Sequence, residues 1–549
     1  MKIALVACNA KYIHSNPALY SLRAGAPDFR ENIVLKEYTI NQQKDDILRD
    51  LYQEAPDVVA FSCYIWNISF VKEIAADFHK ILPKVPVWAG GPEVSYDAEE
   101  FLVQNPAFEG VMVGEGEASF AELAAFYING EGSLSQIKGI AFRKGQEIIH
   151  NGWREILDLS TVPFPYENLT DFKNRIIYYE SSRGCPFSCS YCLSSVDKKL
   201  RFRNIELVKR ELQFFLDHRV PQVKFVDRTF NCKHAHAMEV WKYITEHDNG
   251  ITNFHFEISA DLLNEEELEC ISKMRPGLIQ LEIGVQSTNP ETISAIHRTM
   301  DFERLSATVN KIKSFGNIHQ HLDLIAGLPW EDYDSFRKSY NDVYALSPEQ
   351  LQLGFLKILK GSSMKECAEQ YEIVYKDREP YEVLCTKWLP YSDVLKLKLV
   401  ENMTEVYYNS GQFTQTLKCI LPYFADAFTF YEQLGAFYEK RGYLQISHAR
   451  IRRYEILLEF IRNDPEIPQA AVSDAMILDL YLRENMKSRP SFARDQKPFE
   501  KQIWEYRKQN RVDKTCHIEV LNSGCVWLFD YRTRDALTGN ASAAEINLN

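Results

Sequence analysis

Five short apolar runs punctuate the first 130 residues: KIALVAC (2–8), NIVLKEY (32–38), DVVAFSCYIW (57–66), VPVWAGG (85–91) and GVMVGEG (110–116). Each has strand length, and between them lie segments such as FVKEIAADFHKIL and EASFAELAAFYI, whose apolar positions recur at helical spacing. This alternation predicts a parallel, doubly wound α/β sheet whose ligand crevice lies at the carboxyl ends of its strands. Residues 131–172 change character. GIAFRKGQEIIHNG carries β-type runs around Lys144-Gly145, and the proline-bearing DLSTVPFPYENL comes after it, which predicts a hairpin and then a linker.

A second alternation begins near residue 173. RIIYYESSRG, VPQVKFVDRTF, NFHFEISADLL, LIQLEIGVQS, HQHLDLIAGLP and LQLGFLKIL read as buried strands separated by helical stretches such as FERLSATVNKIKSF. Six such units, over 173–368, are too few to close an eight-stranded barrel. From 369 to 549 the pattern is mostly helical and rich in Tyr and Phe, as in FADAFTFYEQLGAFYEK. The end predicts a hairpin turning at Asn522-Ser523-Gly524, followed by a polar, frayed tail.

A chain of 549 residues is too long for one core, which agrees with spans of 1–130, 131–172, 173–368 and 369–549. Its formal charge of −13 argues against nucleic acid as the main partner, because phosphate affinity rests on Lys and Arg. The nearest basic stretch is KKLRFR, 198–203. No apolar run reaches the roughly 20 residues of a membrane span, and the opening residues lack a signal-peptide pattern. The twelve cysteines are scattered, as reduced thiols would be. The expectation is a cytoplasmic protein.

At 183–192 the chain reads RGCPFSCSYC, three cysteines with no fourth nearby. A structural zinc site needs four closed ligands, which Cys516 and Cys525 could complete only from the distant tail. Four-iron clusters normally take four thiolates, so three leave one iron unclaimed and open to a ligand. Cys185, Cys189 and Cys192, with Tyr191 before the last, resemble the signature of the radical SAM superfamily. That resemblance implies a 4Fe-4S cluster on these thiolates, S-adenosyl-L-methionine (SAM) on the open iron, and a partial (β/α)6 TIM barrel. The runs GVQS, IHR and DLIAGLP resemble the coproporphyrinogen-oxidase-like branch, which implies SAM contacts from Glu257, Gln286, Arg298 and Asp323, and from Tyr191. Gly327-Leu328-Pro329 then reads as a turn shaping the adenine pocket. The facing of Asp227 and Glu282 stays open.

The N-terminal strands end in small or glycine-rich turns, without G-x-G-x-x-G after the first strand. Ser62-x-Tyr64 followed by Gly90-Gly91-Pro92, with Gly114-Glu115-Gly116 beyond, resembles the cobalamin-binding domain. The resemblance implies a Rossmann-like fold with these residues around the nucleotide tail. The Asp-x-His-x-x-Gly lower-ligand motif is missing; only His14 lies in the corresponding loop. As a whole the chain is similar to class B radical SAM enzymes that use cobalamin. That similarity implies reductive SAM cleavage to a 5′-deoxyadenosyl radical and methylation of an unactivated carbon. The implied partners are a small-molecule substrate and an external electron donor of flavodoxin or ferredoxin type. A non-methylating rearrangement or oxidation, a corrinoid-binding regulator and a tRNA methylthiotransferase are the alternatives.

Overall fold

Successive residues of the first apolar run point to opposite sides of a sheet, and both sides are covered. All seven residues of β1 (Ile3–Asn9) are buried. Ala4, Val6 and Cys8 enter one apolar core while Ile3, Leu5 and Ala7 enter another, as a sheet sandwiched between helices requires. With β2 (Ile33–Thr39), β3 (Val58–Ser62), β4 (Val87–Gly90) and β5 (Gly110–Met112) it forms a parallel sheet in the order β2-β1-β3-β4-β5. The strand order reverses at β1, so a crevice opens between the carboxyl ends of β1 and β3. The helix Ile68–Ile81 packs Ile68, Val71, Ile74, Ala75 and Phe78 into the core, one face of a 3.6-residue repeat.

The hairpin β6 (Ile140–Lys144) and β7 (Glu147–His150) pairs antiparallel beyond β5. It extends the sheet because Ile140 and Phe142 share the core of Ile3 and Leu5.

The computed structural model describes residues 1–196, 198–462 and 464–548, and of Asp171 only the backbone. The chain divides into two compact units. The first holds Met1–Ile279, Ser294–Thr299 and Leu356–Thr386; the second holds Gln280–Ile293, Met300–Phe355 and the chain from Lys387 onward. Beyond its large sheet the first unit contains β8 (Ile177–Tyr179), β9 (Ser182–Arg183), β10 (Arg201–Phe202), β11 (Gln222–Phe225) and β12 (Asn253–Ile258). β11 runs parallel to both β8 and β12, and β9 pairs antiparallel with β10.

In the second unit β13 (Ile279–Gln286), β14 (His319–Ala326) and β15 (Gln350–Phe355) are parallel. The six strands expected for the partial barrel are thus present, three in each unit. The returning segment Leu356–Thr386 of the first unit carries a short hairpin, β16 (Val374–Tyr375) and β17 (Val383–Cys385).

Four helices, Tyr391–Met403, Ala427–Arg441, Arg450–Ile461 and Gln469–Arg483, dominate the remainder. The chain ends in an antiparallel sheet of β18 (Cys516–Val520), β19 (Val526–Arg534) and β20 (Ala541–Ile546). The expected turn at 522–524 joins β18 to β19. The expected frayed tail is instead a third strand, because β19 offers it a free edge and Ile546 packs beside Val520 and Val526. No helix among the described residues is long and apolar enough to cross a membrane.

Candidate functional site

The three-cysteine loop leaves β9 and is braced before it begins. Asp227, fully buried after β11, accepts from the Ser181 amide at 2.9 Å, the Ser181 hydroxyl at 2.7 Å and the Ser182 hydroxyl at 2.6 Å. Burial nevertheless outweighs these donors and pushes its carboxyl up to about 6. His236 Nε2 lies 2.9 Å from Ser181 Oγ, and burial lowers that imidazole to about 4, so it stays neutral. The strand residues in front of the loop are therefore held from below.

Cys185 and Cys189 are 8% and 7% exposed, Cys192 is partly exposed, and all three thiols are free of disulfides. Cys185 Sγ lies 3.8 Å from Thr229 Oγ1, and Arg298 Nη1 lies 3.8 Å from Cys189 Sγ and 3.5 Å from the Tyr191 hydroxyl. The loop's backbone is pinned on two sides, since the Ser190 amide donates to the Ile296 carbonyl at 2.9 Å and its carbonyl accepts from Met364 at 2.8 Å. Ser195 Oγ closes it by donating to the carbonyls of Cys189 and Cys192. The Ser190 hydroxyl is buried with no hydrogen-bond partner among the described residues. Such an orphan costs about 1–3 kcal/mol unless a ligand completes it. Among the described residues no three His, Cys, Asp or Glu side chains converge on a single metal ion. A cubane asks for something different, one thiolate at each of three irons.

The glycine turns of the large sheet lie in the same unit. Ser62 ends β3, where Asn16 Nδ2 reaches its hydroxyl at 3.2 Å and Asn67 Nδ2 its carbonyl at 2.9 Å. Tyr64 donates its amide to Asn67 Oδ1 at 2.8 Å and stacks on Trp66, with centroids 4.3 Å apart. Gly91 has φ 112°, and a Cβ there would lie 2.5 Å from the Cys63 carbonyl oxygen, so the turn before Pro92 admits only glycine. Ser95 Oγ ties both turns, donating to the Gly91 carbonyl at 2.9 Å and accepting from the Gly114 amide at 3.2 Å. Gly90 packs on Met112, and Gly116 on Leu22.

Two of the expected residues are engaged with protein. Glu115 binds Arg201 and accepts from the Leu157 amide at 3.0 Å. His14 Nδ1 lies 2.7 Å from the Tyr178 hydroxyl, and burial lowers its pKa. Arg183, inside the cysteine motif, donates to Glu180 and Glu117 at 2.7 Å each and thus ties the loop to the helix after β5. The stretch 198–203 offers little open positive charge from its arginines. Arg201 is spent on Glu115, and Arg203 on the buried Glu211 and the carbonyls of Leu159 and Val162.

Glu257 lies on β12, its carboxylate 3.8 Å from Arg228. In the second unit Gln286 ends β13 at a register shift, with φ 71° and a buried Oε1 that has no partner among the described residues. A glutamine held in the left-handed region marks a position the fold over-determines. Asp323 sits on β14 opposite Gly284, 3.1 Å from His321 Nε2. Beyond the Gly327-Leu328-Pro329 turn, Glu331 is buried and receives the hydroxyls of Ser287 at 2.5 Å and Ser339 at 3.1 Å. The structure thus brings Cys189, Tyr191 and Arg298 together.

Sequence reading missed the brace of Ser181 and Ser182 on Asp227, the bridge of Arg183 to Glu117, and that of Lys360 to Glu93 and Asp97. Arg183 stood in plain view beside the motif. For Lys360 nothing local pointed to a role, since its partners lie some 265 residues away.

Three family models match the chain: the B12 binding domain at residues 3–124, the radical SAM superfamily at 179–343, and a protein of unknown function, DUF4080, at 369–522. A cobalamin-dependent radical SAM methyltransferase, TokK of Streptomyces tokunonensis, is 27% identical over 372 residues, covering 63% of this chain and 53% of its own length. A 2-(S-pantetheinyl)-carbapenam-3-carboxylate methyltransferase of Streptantibioticus cattleyicolor is 27% identical over 303 residues, covering 51% and 44%. The chain spans about half the length of these curated relatives. Among solved structures, the cobalamin-dependent S-adenosylmethionine radical enzyme OxsB superposes with a TM-score of 0.60 at 14% identity over 93% of this chain and 81% of its own. The radical S-adenosylmethionine methyltransferase TsrM of Kitasatospora setae gives 0.58 at 18% identity, over 69% and 79%. At such identities the structural likeness speaks for the fold alone.

Proposed function

We propose that this chain, which carries a B12 binding domain and a radical SAM domain, is a cobalamin-dependent radical SAM enzyme. It cleaves SAM reductively to a 5′-deoxyadenosyl radical and methylates an unactivated carbon of a small-molecule substrate. The observation that carries this reading is the loop of three free, largely buried thiols with Arg298 against the second of them. The residues suit the cofactors: the motif offers three free thiols as donors, and Ser190 holds a buried hydroxyl beside them with no partner among the described residues. When bound, a 4Fe-4S cluster supplies the electron and cobalamin carries the methyl group.

Cys185, Cys189 and Cys192 would hold the cluster, and the burial of Cys185 and Cys189 would shield it from water and oxygen. Arg298 presents a guanidinium to the SAM carboxylate, a charge-assisted pairing for which the fork geometry is suited. Glu257, Gln286 and Asp323 supply acceptors for ribose hydroxyls and the ammonium. Ser62, Gly90, Gly91 and Gly114 line the cobalamin tail, with Tyr64, Pro92 and Gly116 beside them; Glu115 and His14 act as positioning groups, since both are already bonded to protein. The reductant is an external flavodoxin- or ferredoxin-type protein, and the setting is the cytoplasm.

The test is anaerobic turnover with methyl-labelled SAM, reductant and cobalamin. Deoxyadenosine together with a labelled methylated product is expected. Deoxyadenosine without methyl transfer would refute the methylation, and corrinoid binding with neither product would refute the enzyme.

A further inference from the structure

After β15 the first unit takes back Leu356–Thr386, and this strap touches both loops that the proposed function assigns to cofactors. Its two arms are bonded to each other, Ile358 to the Tyr381 carbonyl at 3.0 Å and Val383 to the Leu356 carbonyl at 2.9 Å. On one side the Met364 amide donates to the Ser190 carbonyl, between the second and third cysteines. On the other, Lys360 Nζ lies 2.9 Å from Asp97 Oδ2 and 3.3 Å from Glu93 Oε1, and the Tyr381 hydroxyl donates to that same Glu93 oxygen. Glu93 comes directly after Gly90-Gly91-Pro92, and its neighbour Ser95 ties the Gly91 and Gly114 turns together. Gly361 packs so closely on the Tyr96 ring that a Cβ there would overlap it.

The strap is therefore short and stiff between its two grips. Three residues separate Lys360 from Met364, a reach of at most about 14 Å. Lys360 and Glu93 side chains are 20% and 6% exposed, so this is a largely desolvated pair and not a surface contact. A displacement of the glycine turns passes to the cysteine loop through very little chain.

We infer that Lys360 is a positioning residue, holding the cobalamin turns and the cluster loop at one fixed separation so that methyl carrier and substrate radical meet. The inference rests on the proposed function and adds a residue to it. Methyl transfer demands a near-attack geometry, where a misplacement of about 1 Å can lower a rate by about 100-fold. SAM cleavage needs the cluster loop and the SAM-contacting residues, and not the glycine turns.

Two variants test this in the full-length protein reconstituted anaerobically. Lys360→Met is expected to keep its iron content and its deoxyadenosine formation within about twofold while methyl transfer per deoxyadenosine falls by about tenfold or more. Lys360→Arg is expected to restore most of that ratio. Amide hydrogen exchange on the chain without cofactors gives a readout independent of activity: Lys360→Met should raise exchange both in the peptide spanning 91–97 and in that spanning 185–195. Faster exchange at 91–97 alone, or methyl transfer and deoxyadenosine falling in the same proportion, would overturn the inference. Should Lys360→Met fail to fold, Tyr381→Phe, which removes one donor from Glu93, is expected to lower the same ratio by a smaller factor, and an unchanged ratio there would equally overturn it. If the wild type forms deoxyadenosine but transfers no methyl group, the methylation reading fails by itself, and the exchange data still decide the role of Lys360.

Discussion

Polar groups are handled differently in the C-terminal helices and at the strand ends of the first unit. Among the helices the Tyr407 and Tyr438 hydroxyls lie 2.6 Å apart, and Tyr407 also donates to the Arg453 carbonyl. Tyr340 and Tyr344, on the earlier helix Tyr333–Ala345, meet Thr404 at 2.9 Å and Tyr431 at 3.2 Å. These hydroxyls answer one another, a neighbouring threonine or a carbonyl, so the aromatic stripe is a packing core. At the strand ends each pair is built on a carboxyl group: Asp227 with Ser181, Glu117 with Arg183, Glu93 with Lys360. There the Ser190 hydroxyl is left unanswered. The contrast separates a scaffold packed through neutral hydroxyl pairs from strand ends whose loops are fixed by carboxyl groups.

The largest effect should come from Cys192→Ala. Removing one thiolate should abolish cluster iron and reductive SAM cleavage, a loss beyond the about 10–100-fold seen when only groups behind the ligands change. Retained cleavage would erase the distinction, because the site would then need no third sulfur. Next is Arg183→Met, which leaves Glu117 and Glu180 facing each other across a mostly buried space. A destabilisation of about 3 kcal/mol is expected, the low end for breaking a buried pair, read as a lowered unfolding midpoint in denaturant. An unchanged midpoint would mean the long-range pairs are ornamental.

Glu331 sharpens the comparison, being a buried carboxyl whose burial outweighs two hydroxyl donors and raises it from 4.5 to about 8. The native chain keeps a proton there that the unfolded chain releases near 4.5, so stability is greatest below that pH and declines as pH rises through about 8. Glu331→Gln should flatten this decline by up to about 1.4 kcal/mol per pH unit within the window. Parallel pH profiles of Tm for variant and wild type would rule it out. The smallest effect is expected from Tyr407→Phe, about 1 kcal/mol for the lost hydrogen bonds, with SAM cleavage untouched. Impaired cleavage would show that the helical core is more than scaffold.

Much of the architecture was legible because it rests on local pattern. The runs around Ile3, Val58 and Val87 are apolar on both faces, which only a two-sided sheet can bury. The third strand of the C-terminal sheet was not legible, since ASAAEI carries too few apolar residues to announce itself and forms because β19 offers an edge. Within the site, the cysteine motif was visible as spacing. The engagement of Glu115 by Arg201 was not, because it depends on a turn and a short strand meeting from 86 residues apart.

Taken alone, the amino-acid order determined the strand and helix periods, the triplet of thiols and the glycines whose backbone no other residue could adopt, all of which are set within a few neighbouring residues. Only the folded chain decided which charges are spent on each other, which hydroxyl is left over and how one strap reaches both loops. Those are matters of burial and long-range approach, and a one-dimensional pattern holds no distance between residues that meet only after the chain has closed on itself.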